Sequence, residues 1–236
     1  MQPQSISSWL KEHHIEEVEC LIPDMTGNAR GKLIPASKFT KQESRMPESI
    51  LLQGVNGVWS EEHDELVMNT VDGDMLLRPD PGAIRIVPWA KPEEPTAQII
   101  HDCYTNDGAL HPLATRSVLK RVLKLYADEG WRPILAPEAE FYFVEKNTDP
   151  DSELHPPIGR NGRMERAGQS YSIDAINQYE DVIEDMYDYC EAMALDVDTL
   201  IHEEGAAQFE VNFLHGEPLD LADQVFTFKR TVREVA

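Results

Sequence analysis

The stretch IHEEGAAQFEVNF, Ile201 to Phe213, and its counterpart PEAEFYF, Pro137 to Phe143, decide how this chain folds. In Leu135–Phe143 the odd positions Leu135, Ala139, Phe141 and Phe143 are apolar, while Glu138, Glu140 and Tyr142 carry the polar atoms. That alternation predicts a strand with one buried face and one face turned to something wet or charged. Gln208–Phe213 repeats it, with Phe209, Val211 and Phe213 on one side and Gln208, Glu210 and Asn212 on the other. Carboxylates at i and i+2 leave a strand on the same side, roughly 7 Å apart.

Carboxylates crowded together repel and raise one another's pKa. A divalent cation, which prefers hard oxygen ligands, removes that cost. A single E-x-E in an acidic protein is more simply a solvated or ion-paired face. Two such strands shift the balance, because Glu203 ends an apolar run (Val197, Leu200, Ile201) and is followed by Gly205-Ala206-Ala207. Small residues there let backbone approach a ligand closely. A helical zinc-protease pattern does not fit, since position 206 is Ala and not His.

At these residues the sequence resembles the glutamine synthetase family. Pro137, Glu138, Ala139, Glu140 and Phe141 resemble its P-E-x-E-F strand, and His202, Glu203, Gln208 and Glu210 resemble its H-E-x-x-x-x-Q-x-E segment. Asp24, Gly27, Arg30, Gly31, Lys32 and Pro35 resemble its D-x-x-G-x-x-R-G-K-x-x-P hairpin, and Asp74, Met75, Leu77, Pro79 and Asp80 its D-M-x-L-x-P-D segment. The resemblance implies an α+β protein. Residues 1–105 would form a small β-grasp-like domain, and residues 106–236 the first part of the catalytic domain, an antiparallel sheet with helices.

The resemblance further implies metal ligation by Glu138, Glu140, Glu203 and Glu210. Glu140, Glu203 and Glu210 are expected within one cation's reach of one another, with Glu138 aimed at the same cleft as one ligand of a second, incomplete metal site. Phe213 resembles the residue lying against the nucleotide, Asp198 stands where the family has a ribose-contacting carboxylate, and Tyr171 resembles an amine-site tyrosine. The implied chemistry is ATP-driven amide formation from glutamate and an amine through a γ-glutamyl phosphate, with two Mg²⁺ or Mn²⁺ ions, in a homo-oligomeric ring. The family's second half, with a histidine, another glutamate and several arginines, would follow Ala236, so this chain alone is expected to lack turnover. Ammonia-using members carry F-D-G-S-S in the small domain. The corresponding GVNGVWS, Gly54–Ser60, has no Asp, which resembles members that take a polyamine or another organic amine. The alternatives are ordinary glutamine synthesis from ammonia and a non-catalytic metal-binding fragment.

Composition bounds the rest. The 236 residues carry 43 Asp and Glu against 21 Lys and Arg, a net charge of −22. So acidic a chain is not a phosphate-backbone binder. Cys20, Cys103 and Cys190 are odd in number, far apart and in no C-x-x-C pair, which suits inert thiols in a reducing compartment. No apolar run approaches a membrane span and MQPQSISSW is not a secretory leader, so a cytoplasmic protein is expected. Gly27, Gly31 and Lys32 invite a phosphate-loop reading, but the spacing is one short and Leu33 stands where Ser or Thr would hold magnesium.

Along the chain, Ser5 caps a short helix bearing Trp9 and Leu10. Strands are expected over Glu17–Ile22, Ile84–Trp89 and Ala97–Asp102. A helix over Thr115–Glu129 gathers Val118, Leu119, Val122, Leu125 and Tyr126 on one face and stops at Gly130. The polar stretch Glu145–Ser170, with Arg160, Arg163 and Arg166, is too long for a simple connection; it is either a substrate-facing flap or solvated. The longest helix is expected over Ile173–Ala194, with Ile176, Tyr179, Ile183, Met186, Cys190 and Met193 inward. A strand over Asp196–His202 leads into Glu203, and another helix begins at Leu219.

Overall fold

The computed structural model describes residues 5–39, 41, 43–59 and 73–236. Part of the stretch aligned to the ammonium segment, Ser60, lies outside the described residues. The chain divides into two compact units, Met1–Pro133 with Pro218–Phe226, and Ile134–Glu217 with Thr227–Ala236.

That unit is built on a five-stranded mixed sheet in the order β2-β1-β5-β4-β3. Its strands are β1 (Glu17–Pro23), β2 (Ala29–Pro35), β3 (Ser44–Pro47), β4 (Asp74–Ile86) and β5 (Thr96–Tyr104). β1 and β5 run parallel and every other pairing is antiparallel. β5 is buried over Thr96–Cys103 because apolar residues cover both faces. Val18, Cys20 and Ile99 pack with Leu10 of helix α1 (Ile6–Glu12). Leu21 and Ile100 pack with Ala83 and Phe226 from the other side. Ser5 caps α1, its hydroxyl accepting from the Ser8 N–H. Ile84–Ile86 proves to be the far end of β4, whose pairing shifts between Pro79 and Ile84. Prolines 79 and 81 explain the irregularity, since they cannot donate to a ladder.

The β1–β2 turn is organised by Asp24, 2% exposed. Its carboxylate accepts from the Thr26 N–H and hydroxyl, the Asn28 N–H and Arg30 Nε, all at 2.7–2.9 Å. Burial pushes its pKa up, but the bonds from Thr26, Arg30 and Asn28 together outweigh burial and hold it below the usual carboxylate range. Arg30 is therefore a structural partner. Gly31 is required by contact, because a Cβ there would stand 2.1 Å from the Cys20 carbonyl oxygen.

A short helix α2 (Ala36–Phe39) follows β2, and helix α3 spans Thr115–Asp128. α3 buries Arg116 and Ser117, not the apolar stripe. Val118, Val122, Leu125 and Tyr126 are 40–66% exposed. Arg116 anchors the helix by donating to Asp102 at 2.6 Å, Asp80 at 2.7 Å and Asp223 at 2.8 and 3.0 Å; Lys120 also pairs with Asp102. Burial pushes the Asp223 carboxyl up, and its Arg116 bonds do not fully offset that, with Asp80 and Asp102 adding repulsion. This knot ties α3 to β4 and β5. All three cysteines are free and buried. Burial pushes their thiols up, to about 11 for Cys20 and about 12 for Cys103 and Cys190.

The second unit holds an antiparallel three-stranded sheet in the order β6-β8-β7, made of β6 (Glu138–Tyr142), β7 (Val197–His202) and β8 (Gln208–Phe213). Its inner face is aromatic. Phe209 lies 5.2 Å from Phe143 and 5.6 Å from Tyr179 between ring centroids, and Phe213 lies 5.3 Å from Phe228. The helix expected over Ile173–Ala194 is broken into α4 (Ile173–Ile176), a 3₁₀ turn (Asn177–Tyr179) and α5 (Glu180–Ala192). Tyr179 leaves helical geometry at φ −120°, ψ 25°, sinks into the core and donates its hydroxyl to the Pro157 carbonyl. α5 buries Ile183, Met186 and Cys190 as its stripe requires. The longest continuous helix among the described residues is instead α6 (Pro218–Val235), at 18 residues.

Candidate functional site

The ladder fixes which side chains share a face. Glu140 pairs with Glu210 and Glu138 with Asn212 across β6 and β8. Ile201 pairs with Glu210 across β7 and β8, and the Glu203 N–H continues that ladder by donating to the Gln208 carbonyl at 2.8 Å. Side chains alternate along a strand, and directly paired residues point the same way. Glu138, Glu140, Glu210 and Glu203 therefore share the outer face, while Phe141, Phe209, Val211 and His202 point into the core.

On that face each central carboxylate has taken an amide neighbour. Glu140 accepts from the Gln208 side-chain amide at 2.7 Å, and Glu210 from that of Asn212 at 2.8 Å. Asn212 is steadied in turn by the Thr199 hydroxyl at 2.6 Å. Among the described residues no three His, Cys, Asp or Glu side chains form a group that could hold a metal ion. The carboxyl groups of Glu140, Glu203 and Glu210 are thus on one face but not gathered to one point. Like charges on paired residues repel, and a nearby amide donor draws each carboxylate aside. The donor set still fits a hard divalent cation, since all four candidates are carboxylates on one sheet face.

The remaining predicted residues scatter. Phe213 lies on the opposite face, 3% exposed and packed against Phe228, so its ring is not brought to the glutamates. Its place in the alternation, odd-numbered with Phe209 and Val211, dictates that. Asp198 is exposed and is the unpaired residue of an irregularity between Val197 and Thr199. Tyr171 holds φ +61° and is 73% exposed, and its N–H donates to the His202 carbonyl at 2.9 Å. Gly205 admits protein atoms: a Cβ there would stand 2.6 Å from the Tyr142 hydroxyl and from Gln208 Oε1.

Glu165 and His202 form a buried pair that the sequence does not announce. His202 is fully buried, with Nε2 3.1 Å from the Glu165 carboxylate and Nδ1–H donating to the Glu203 carbonyl at 2.8 Å. Glu165 also accepts the Ala207 N–H at 2.8 Å. The long polar stretch is therefore tied down here. Elsewhere in it, Arg160 pairs with Glu180, while Arg163 and Arg166 are exposed. The one sequence signal for Glu165 would have been an acid among arginines, between Met164 and Arg166, which many solvated loops share.

A family model described as the glutamine synthetase catalytic domain matches residues 112–236. Gamma-glutamylputrescine synthetase PuuA of Escherichia coli (strain K12) is 29% identical over 239 aligned positions, covering 99% of this chain and 50% of that protein. A glutamine synthetase of Pyrococcus abyssi (strain GE5 / Orsay) is 28% identical, covering 93% of this chain and 44% of that protein. The chain spans about half the length of these curated relatives. Among solved structures, apo GmaS without ligand superposes with a TM-score of 0.74 at 25% identity, over 98% of this chain and 50% of that one. A novel glutamine synthase homolog superposes with a TM-score of 0.75 at 20% identity, over 94% of this chain and 49% of that one, a likeness of fold.

Proposed function

Because this chain belongs to the glutamine synthetase family, we propose that its protein is an ATP-dependent ligase joining the glutamate γ-carboxylate to an amine through a γ-glutamyl phosphate. The observation that carries this reading is the shared face of Glu138, Glu140, Glu203 and Glu210, two of them directly paired. These four would hold Mg²⁺ or Mn²⁺, which when bound offsets phosphate charge during phosphoryl transfer. Asp198, exposed at its irregularity, is a ribose contact in this reading, and Tyr171 lines the amine site. Phe213 serves by packing the end of β8. Residues 1–105 correspond to the family's small β-grasp-like domain, which the parallel β1–β5 pairing supports, and 106–236 to the first part of the catalytic domain. The complete protein acts on glutamate, ATP and an amine as a cytoplasmic homo-oligomeric ring. Among the described residues no helix is long and apolar enough to cross a membrane.

An organic amine is the favoured substrate. In Gly54–Trp59 the Asn56 carboxamide oxygen accepts the Val58 N–H, and Val55, Val58 and Trp59 are exposed. That stretch offers apolar contact and no carboxylate for ammonium, and PuuA is named for a diamine product. Ordinary glutamine synthesis is the second reading, supported by the glutamine synthetase relatives. Phosphate release by the full-length protein with ATP, glutamate and either putrescine, an alkylamine or ammonium separates them. A higher kcat/KM for an organic amine is expected; ammonium outperforming both would overturn the choice of amine. The 236-residue chain alone should turn over neither, and turnover by it would overturn the half-site reading.

A further inference from the structure

We infer that Glu165 is a positioning residue for Glu203, acting through His202 and the 203–207 turn. The inference rests on the proposed metal role of Glu203 for its functional consequence, but the clamp itself stands on geometry. Both backbone polar groups of Glu203 are held: its N–H by the Gln208 carbonyl at 2.8 Å, its carbonyl by His202 Nδ1–H at 2.8 Å. Behind His202, the Glu165 carboxylate lies 3.1 Å from Nε2, so each ring nitrogen faces one protein oxygen and the ring cannot turn without losing both contacts. Glu165 then reaches the far end of the same turn, accepting the Ala207 N–H at 2.8 Å, where Ala207 holds φ +53°. One carboxylate thus secures the turn at both ends.

The neighbouring chain closes the arrangement. A Cβ on Gly168 would stand 1.5 Å from the Glu204 carbonyl oxygen, so only glycine lets this segment lie against the turn. Tyr171 donates its N–H to the His202 carbonyl. His202 is fully buried and the Glu165 side chain is 9% exposed, so neither bond competes with bulk water. Residues behind a metal ligand that fix its orientation commonly set affinity by 10–100-fold.

Two conservative variants separate geometry from charge. Glu165→Asp keeps the charge and loses one methylene of reach; Glu165→Gln keeps the reach and loses the charge. Hydrogen exchange across residues 203–208 and Mn²⁺ titration of the chain are read together. Glu165→Asp should speed exchange in the turn and weaken Mn²⁺ about tenfold, while Glu165→Gln stays within about threefold of the parent. Unchanged exchange in Glu165→Asp, or a larger Mn²⁺ loss in Glu165→Gln than in Glu165→Asp, overturns the proposal. Faster exchange in Glu165→Asp with no Mn²⁺ binding even by the parent chain would uphold the clamp and remove the metal reading instead.

Discussion

Glu140 and Glu210 stand directly opposite each other on adjacent antiparallel strands, each leaning on a different amide. Paired like charges cost roughly 0.2–1 kcal/mol, and a bound cation would turn that cost into binding. Glu210→Gln should therefore raise the melting temperature slightly without metal and blunt the rise produced by Mn²⁺. The expected metal effect follows mass action on the native state. Thermal scans with and without Mn²⁺ check it, and equal metal shifts in parent and variant would count against these ligands.

Arg116 should be the most costly surface-distant charge to lose in its unit. Removing it leaves Asp80, Asp102 and Asp223 crowded around an empty space, two of them well buried. Arg116→Ala is expected to destabilise by about 3–5 kcal/mol in urea unfolding. Lys124→Ala, which breaks an exposed i,i+4 pair with Asp128, should cost below about 0.5 kcal/mol. Similar costs for the two would refute the hub.

His101 gives the chain a defined acid response. It is 1% exposed, and burial pulls its pKa down to about 4 despite the hydrogen bond to the Ile99 carbonyl. The unfolded chain takes up a proton near pH 6.5 that the folded chain refuses until about pH 4. Its contribution is therefore fully present above pH 6.5 and lost as pH falls toward 4, on the order of 3 kcal/mol in total. His101→Gln should flatten the unfolding free energy between pH 6.5 and 4.5 relative to the parent; parallel curves would exclude the effect.

The apolar stripe of α3 should be nearly silent in this chain. Val122 is 42% and Leu125 66% exposed, so Val122→Gln and Leu125→Gln should each change stability by less than about 0.5 kcal/mol. Met186→Ala, at a side chain 1% exposed, should cost about 2–5 kcal/mol. Denaturant unfolding distinguishes them, and a large loss at Leu125 would contradict the observed burial.

That stripe also shows where sequence reading stops. Periodicity finds the helix at Thr115 and the strands at Glu138 and Gln208 because alternation and 3.6-residue repeats are local properties. Which helix face is covered depends on distant partners, and here three aspartates far apart in sequence select Arg116. The side of each strand that carries its glutamates was legible from parity, and the register across β6, β8 and β7 puts those sides on one face. The failure of the glutamates to gather was not legible, because Gln208 donates across the ladder to Glu140 and Asn212 along β8 to Glu210. Phe213 is the opposite case: its odd position already consigned its ring to the core. The break at Tyr179 escaped because the helical stripe runs through it unbroken, and its backbone angles and its contact with Pro157 are set by tertiary packing. Glu165 lay in a stretch without periodicity, where neither pattern applies.

The strict alternation of β8 has an evolutionary corollary. Inserting or deleting one residue between Gln208 and Phe213 would exchange the faces of everything beyond it, setting carboxylates among the rings and phenylalanines on the outer surface. Lineages descending from such a chain can substitute within the strand or alter its length by two, but single-residue indels there would be purged. Length drift should collect instead in the Glu145–Ser170 stretch, and even there it must spare the spacing from Glu165 to Gly168 and Tyr171.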